Sequence, residues 1–243
     1  MTENENENKN KGVLGFFQDA ADTVKSTVQN VKLPEVKLPG IKLHKDQDDK
    51  KEESEKPKEI TTLSTKSVIA IIYYLMMADG RIQEEEKEKF REIGNELDPN
   101  FHLYQSMIID QCNKQKDKAI DPEDEYAVLQ DGVEEAIAVG ANAKDAVITP
   151  KLLVWDLLTI AYSDNQYNER EHQLIKYIVR KLNIDKAVFL EMESSFLTLM
   201  DLEKELQWIK TTDRPYLTIE SIVNEISDRK TVIFESVKDL IAF

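Results

Sequence analysis

Hydrophobic residues are patterned in two ways along this chain, on either side of a stretch that has none. In GVLGFFQDAADTVKSTVQNV (residues 12–31), Leu14, Phe17, Ala21, Val24, Val28 and Val31 recur at alternating spacings of three and four. That is the stripe of an amphipathic helix. A five-residue repeat follows, VKLPE VKLPG IKLH, whose Pro34 and Pro39 block helix and favour extended chain. Residues 44–59, HKDQDDKKEESEKPKE, carry no apolar side chain. Such a segment buries too little surface to offset its ordering entropy, which predicts a disordered linker.

From residue 61 the pattern is helical throughout. TKSVIAIIYYLMMA (65–78) is apolar on nearly every side, as a fully buried helix would be. A second helix is predicted over Glu84–Leu97, with Ile82, Phe90, Ile93 and Leu97 turned inward. Asp98-Pro99, Asp121-Pro122 and Thr149-Pro150 each offer an N-cap followed by proline, a helix-start signal. Further helices are predicted after Asn168 and Asp185 and from Thr218, and no convincing period-two alternation occurs. The expected fold class is all-α. The division is 1–45 (amphipathic helix and Lys-Leu-Pro repeats), 46–60 (linker), 61–205 (helical body) and 206–243 (C-terminal helical extension).

MADGRIQEEE (77–86) resembles the back half of a calcium loop, with Asp79-Gly80 followed at EF-hand spacing by Glu86. The first two ligand positions, however, are Leu75 and Met77. Sliding the chain by 85 residues explains this, because IYYLMMADGRIQEEEKEKFREIGNEL then lies over LLTIAYSDNQYNEREHQLIKYIVRKL without a gap. Asp79 meets Asp164, Gly80 meets Asn165, Ile82 meets Tyr167, Glu84 meets Glu169 and Glu86 meets Glu171. Each copy is a buried helix, a turn at Asp-Gly or Asp-Asn, and an amphipathic helix. Gly and Asn tolerate the positive φ that a tight helix-to-helix turn needs. The front of the loop is hydrophobic because it is the end of a core helix, where Leu75, Met77, Ile160 and Tyr162 can pack.

An apolar helix ending in A-x-x-D-G/N, with an apolar residue two positions on and a Glu four beyond that, resembles the TerB-like superfamily. MMADGRIQEEE and LTIAYSDNQYNERE carry the resemblance, over roughly residues 62–200. That group includes bacterial tellurite-resistance proteins and the helical domain of some membrane-anchored DnaJ-like co-chaperones. The resemblance implies a helical bundle of two pseudo-symmetric helix-turn-helix repeats. It also implies a role in the response to tellurite or other chemical stress, without enzymatic activity.

Two readings of the acidic turns stand side by side. With Gln83 and Asn168 as N-caps, Glu86 and Glu171 occupy capping-box positions and favour the helix dipole, a purely structural role. If the turns instead meet across a pseudo-twofold, Asp79, Glu86, Asp164 and Glu171 supply hard oxygen ligands suited to Ca²⁺ or Mg²⁺. Glu169 and His172 form one Glu-x-x-His, half of a di-iron motif, but His44 and His102 do not complete it. His172 is therefore expected at the surface, Cys112 as a packed thiol, and Trp155 and Trp208 as core. No P-loop, G-x-S-x-G or H-E-x-x-H occurs, so an enzyme has no residues to rest on.

Charge and composition narrow the partners. A formal charge of −15 disfavours nucleic acid, and the single cysteine excludes a disulfide framework. With no run of about 18 apolar residues and a polar start, MTENENENKNK, the expected location is the cytoplasm. Between Lys9 and Lys45, seven Lys stand against Asp19, Asp22 and Glu35. That excess suits attachment to an anionic membrane surface at its inner face, through Leu14, Phe16, Phe17, Val24 and Val28. The competing reading is a helix that docks on its own body, on a second copy or on a protein partner.

Overall fold

The computed structural model describes residues 60–121, 124–164 and 167–242. The expected N-terminal amphipathic helix, with Leu14, Phe16, Phe17, Val24 and Val28, lies outside these residues, as do the Lys-Leu-Pro repeats and most of the linker. Eight helices and one two-stranded ladder make up the described part, and the class is all-α.

Helix α1 (Thr65–Met76) is the axis of the body. Ser64 Oγ accepts a hydrogen bond from Ser67 N (3.3 Å), which satisfies one of the free donors at its start. From Val68 to Met76 all residues but Ala70 are buried, so neighbours must enclose it. They are α2 (Glu84–Leu97), α3 (Phe101–Lys116), α4 (Glu125–Ala141), α5 (Pro150–Ala161) and α6 (Glu169–Lys181). Helix α4 comes closest because glycines face α1. A Cβ on Gly132 would lie 2.6 Å from the Tyr74 ring, and one on Gly140 would lie 2.6 Å from Ser67 Cβ.

The repeat is visible in three dimensions and extends further back than the aligned segments. Strand β1 (Leu63–Ser64) pairs antiparallel with β2 (Ala146–Ile148), and Leu63 faces Ile148. These two residues are themselves 85 apart, so a local twofold passes between them. Thr149, the counterpart of Ser64, caps α5 in the same way, its Oγ1 accepting from Leu152 N (3.3 Å), with Pro150 at the first helical position. The copies also exchange neighbours, with α2 packing on α5 and α6 packing on α1. The small ladder was not expected; two or three residues are too few to show alternation.

Several expected helix starts need adjustment. Asp98 does not cap α3, which begins at Phe101; it closes α2, and its carboxylate accepts from Asn100 N (2.8 Å) and Tyr104 Oη (2.7 Å). Helix α4 starts at Glu125, beyond Asp121, and α8 (Tyr216–Ala242) starts two residues before Thr218. Helix α7 (Lys186–Lys210), capped by Asp185, runs unbroken through the expected boundary at 205. It forms a hairpin with α8, whose outer part has its own small core of Leu202, Leu206, Ile209, Ile219 and Ile226. Phe234 and Val237 of α8 return to the main core. Trp208 is a correction: it lies on the outward face of this hairpin and is 65% exposed, whereas Trp155 is buried as expected.

Candidate functional site

The first turn begins where α1 ends. Gly80 N donates to Met77 O (3.1 Å), and Gly80 takes φ of 80°, the left-handed conformation that glycine adopts without strain. Asp79 lies at the helix end, and its Oδ1 accepts from Arg81 N (2.7 Å). An Asp at a helix C-terminus opposes the dipole, and this bond to the turn is its compensation. Glu86 then lies in the first turn of α2, and its Oε2 accepts from Gln83 N (2.6 Å).

The second turn repeats the plan with a firmer frame. Asp164 follows α5, and α6 opens with a reciprocal capping box. Asn168 Oδ1 accepts from Glu171 N (3.0 Å), and Glu171 Oε2 accepts from Asn168 N (3.0 Å). Aromatic rings wall it in. Tyr162 and Tyr167 lie 4.4 Å apart by ring centroid, with Phe196 of α7 at 5.2 Å from Tyr162. Tyr167 Oη donates to Glu193 Oε1 (3.2 Å), and His172 Nε2 stands 3.1 Å from the same oxygen without hydrogen-bond alignment. His172 is therefore half-buried on this wall, against the expectation of a surface residue.

The structure brings the two turns into electrostatic contact. Glu86 and Glu171 are each only 4% exposed, an unusual burial for carboxylates. Burial is the main cause that pushes Glu86 up to about 7; the bond from Gln83 N pulls it down, and Asp79, Asp164 and Glu85 push it further up. Glu171 is pushed up to about 8, again chiefly by burial, and Glu86, Asp79 and Asp164 add to it. The leading charges on both glutamates are thus acidic, and they come from both repeats. Asp79 and Asp164 thus raise both glutamates, and the two turns share an acidic centre in this electrostatic sense.

As donors, these groups are hard oxygens of the kind that Ca²⁺ and Mg²⁺ select. The hydrogen bonds described use Oε2 of each glutamate and Oδ1 of Asp79. As placed, no three His, Cys, Asp or Glu side chains among the described residues converge closely enough to hold a metal ion. Holding one therefore requires side-chain rotation. Ser163 Oγ and His172 Nε2 are buried without a hydrogen-bond partner, and both belong to the second turn.

Other chemistry-bearing groups lie elsewhere. Cys112 is buried in α3, where burial pushes its thiol up to about 12, the opposite of an activated nucleophile. Asp156 of α5 is 3% exposed, and burial, with Glu96 nearby, holds its carboxyl well above the usual range. No local signal in the sequence distinguishes Asp156 from a solvent-facing acid on the helix that Thr149-Pro150 opens. The Tyr167–Glu193–His172 group joins α6 to α7 across 26 residues, and spacing alone does not reveal it.

The family profile of tellurite resistance protein TerB matches residues 65–193, more than half of the chain and inclusive of both turns. No curated protein and no solved structure matches it.

Proposed function

Because this chain belongs to the tellurite resistance protein TerB family, we propose that it acts by binding, without catalysis, in a tellurite-resistance type of chemical-stress response. Its paired acidic turns are the responsive centre, and their ligand is a hard divalent cation, Ca²⁺ or Mg²⁺. One observation carries this reading: Glu86 and Glu171, from two different turns, are both buried, and the charges of Asp79 and Asp164 act on both. Buried like charges are costly unless a proton or a cation neutralises them. Near neutral pH the protons are only partly held, so a divalent cation competes for the same oxygens. The purely structural role of the two glutamates accounts for one oxygen of each but not for their burial. The inert, buried Cys112 thiol fits a binding protein better than an enzyme.

Calorimetry with CaCl₂ and MgCl₂ tests the proposal on the wild type and on a Glu86→Gln/Glu171→Gln variant. Glutamine keeps an oxygen for each N-cap and removes the charge. The wild type is expected to bind one of the cations and to gain thermal stability with it, more at pH 8 than at pH 5.5, where protons occupy the site. The variant is expected to show neither effect. Equal cation responses from both proteins, or none from the wild type, would overturn the reading.

A further inference from the structure

Away from the acidic centre, α1, α3 and α4 enclose an open groove of about 550 Å³. Its apolar lining includes Ala70, Tyr74, Met107, Cys112, Ala136 and Val139. Met107 is 45% exposed and Val139 61%, so much of this lining faces solvent. Lys66, Lys114 and Lys118 stand around it, opposed by Glu135, which makes the rim a basic spot on a chain of formal charge −15.

We propose that this groove is the docking site for residues 13–31 of the same chain, whose apolar stripe of Leu14, Phe17, Ala21, Val24 and Val28 lies against its floor. Three observations select this occupant over others. The first is chain geometry: the described chain begins at Ile60 and leads through β1 directly into α1, whose Lys66, Ser67, Ala70 and Tyr74 form one wall of the groove. The tether thus starts at the groove.

The second is reach. Residues 32–59 connect the stripe to Ile60, and a coil of that length spans roughly 30 Å on average. A 19-residue helix is about 28 Å long, so the stripe can lie along the groove without stretching its connection. Such tethering holds the segment at an effective concentration on the order of millimolar, which populates even a weak contact. The third is charge: residues 13–31 carry Asp19 and Asp22 against Lys25, so they are net acidic and meet a basic rim. An amphipathic helix lying in an apolar groove is a common mode of peptide recognition.

Met107, 45% exposed on the groove, is a position from which a thiol reports on occupation, once the buried Cys112 is replaced. The test is the rate of thiol alkylation by iodoacetamide in the otherwise wild-type full chain, its single thiol moved to that position by Met107→Cys/Cys112→Ser. Leu14→Ser/Phe17→Ser is expected to raise that rate at least about fivefold without altering far-UV circular dichroism of the folded chain. Val139→Glu, on the groove side, is expected to raise it similarly, and the triple variant no further, because both changes empty the same contact. The rate of the single-thiol chain itself is expected to stay constant on hundredfold dilution. A rate that rises on dilution places the segment of a second copy in the groove and overturns the proposal. Equal rates in the single-thiol chain and its N-terminal variant also overturn it. If that variant alone then fails to co-sediment with anionic vesicles, the stripe serves a membrane instead.

Discussion

The two acidic turns have the same backbone plan but are held in place by different means. The Asp79 turn relies on a glycine at positive φ and one side-chain bond to the backbone at each end. The Asp164 turn has a complete capping box and a wall of Tyr162, Tyr167 and Phe196, with Tyr167 tied to Glu193 on a third helix. Both glutamates are raised chiefly by burial, Glu86 to about 7 and Glu171 to about 8, and the charge of Glu86 adds to the rise of Glu171. The two copies thus bury the same carboxylate with different supports, backbone conformation in one and side-chain packing in the other.

If the wall sets the difference, breaking it should hurt one turn far more than the other. Tyr167→Ala removes a packed ring and its bond to Glu193, and is expected to lower stability by about 3 kcal/mol. The counterpart Ile82→Ala, partly exposed, is expected to cost about 1 kcal/mol. Urea unfolding of both variants measures the ratio; equal losses would show that the wall does not distinguish the turns.

Capping gives a smaller contrast. Both turns carry a capping box, but the Asn168 side chain accepts a full hydrogen bond from Glu171 N, whereas the Gln83 side chain makes no cap bond of that quality. Asn168→Ala is expected to cost about 1 kcal/mol and Gln83→Ala no more than a few tenths. Thermal melts separate the two, since 1 kcal/mol moves Tm by about 2–4 °C in a chain of this size. The smallest effect is expected from Gly80→Asn, at a position where a side chain would meet open space but the backbone is left-handed. The other repeat has Asn165 at this position. Gly80→Asn is therefore expected to change stability by a few tenths of a kcal/mol, and Gly80→Val by about 1 kcal/mol or more. Identical melts for the two variants would remove the conformational argument.

Legibility in the sequence followed locality. Thr149, Asn168 and Asp185 mark their helix starts because a cap needs only residues within one turn, and the all-α class follows from the helical period. Asp98-Pro99 carried the same signal but a different outcome, since Tyr104 and Asn100 engage the Asp98 carboxylate. The repeat paired Asp79 with Asp164 and Glu86 with Glu171 by register alone. The burial of the two glutamates, the Glu193–Tyr167 bond and the buried Asp156 depend on helix packing over long separations, which no spacing encodes. Trp208 misled for a related reason: its helix continues beyond the body, where α8 covers only the face with Leu202, Leu206 and Ile209 and leaves Trp208 outside.

The pH dependence of the centre follows from the direction of its shifts. Both glutamates have an ordinary value of 4.5 and are raised in the folded chain, so the folded state holds their protons longer than the unfolded state does. Their stabilisation is fully present below about pH 4.5, and it is lost as pH rises through about 7 for Glu86 and about 8 for Glu171. The groups that face them are Asp79, Asp164 and Glu85, all acidic, so none reverses the sign. Melting temperature in cation-free buffer should therefore fall between pH 5 and 8, less steeply in Glu171→Gln than in Glu86→Gln.

The most direct measurement is a carboxyl ¹³C NMR titration of Glu86 and Glu171 in the full chain without divalent cations, repeated for Glu171 in Glu86→Gln. Two carboxyls forming one centre should titrate near pH 7 and 8, and Glu171 should move to lower pH once the charge of Glu86 is gone. Titration of both near 4.5, with Glu171 indifferent to the substitution, would contradict a single acidic centre built from the two turns.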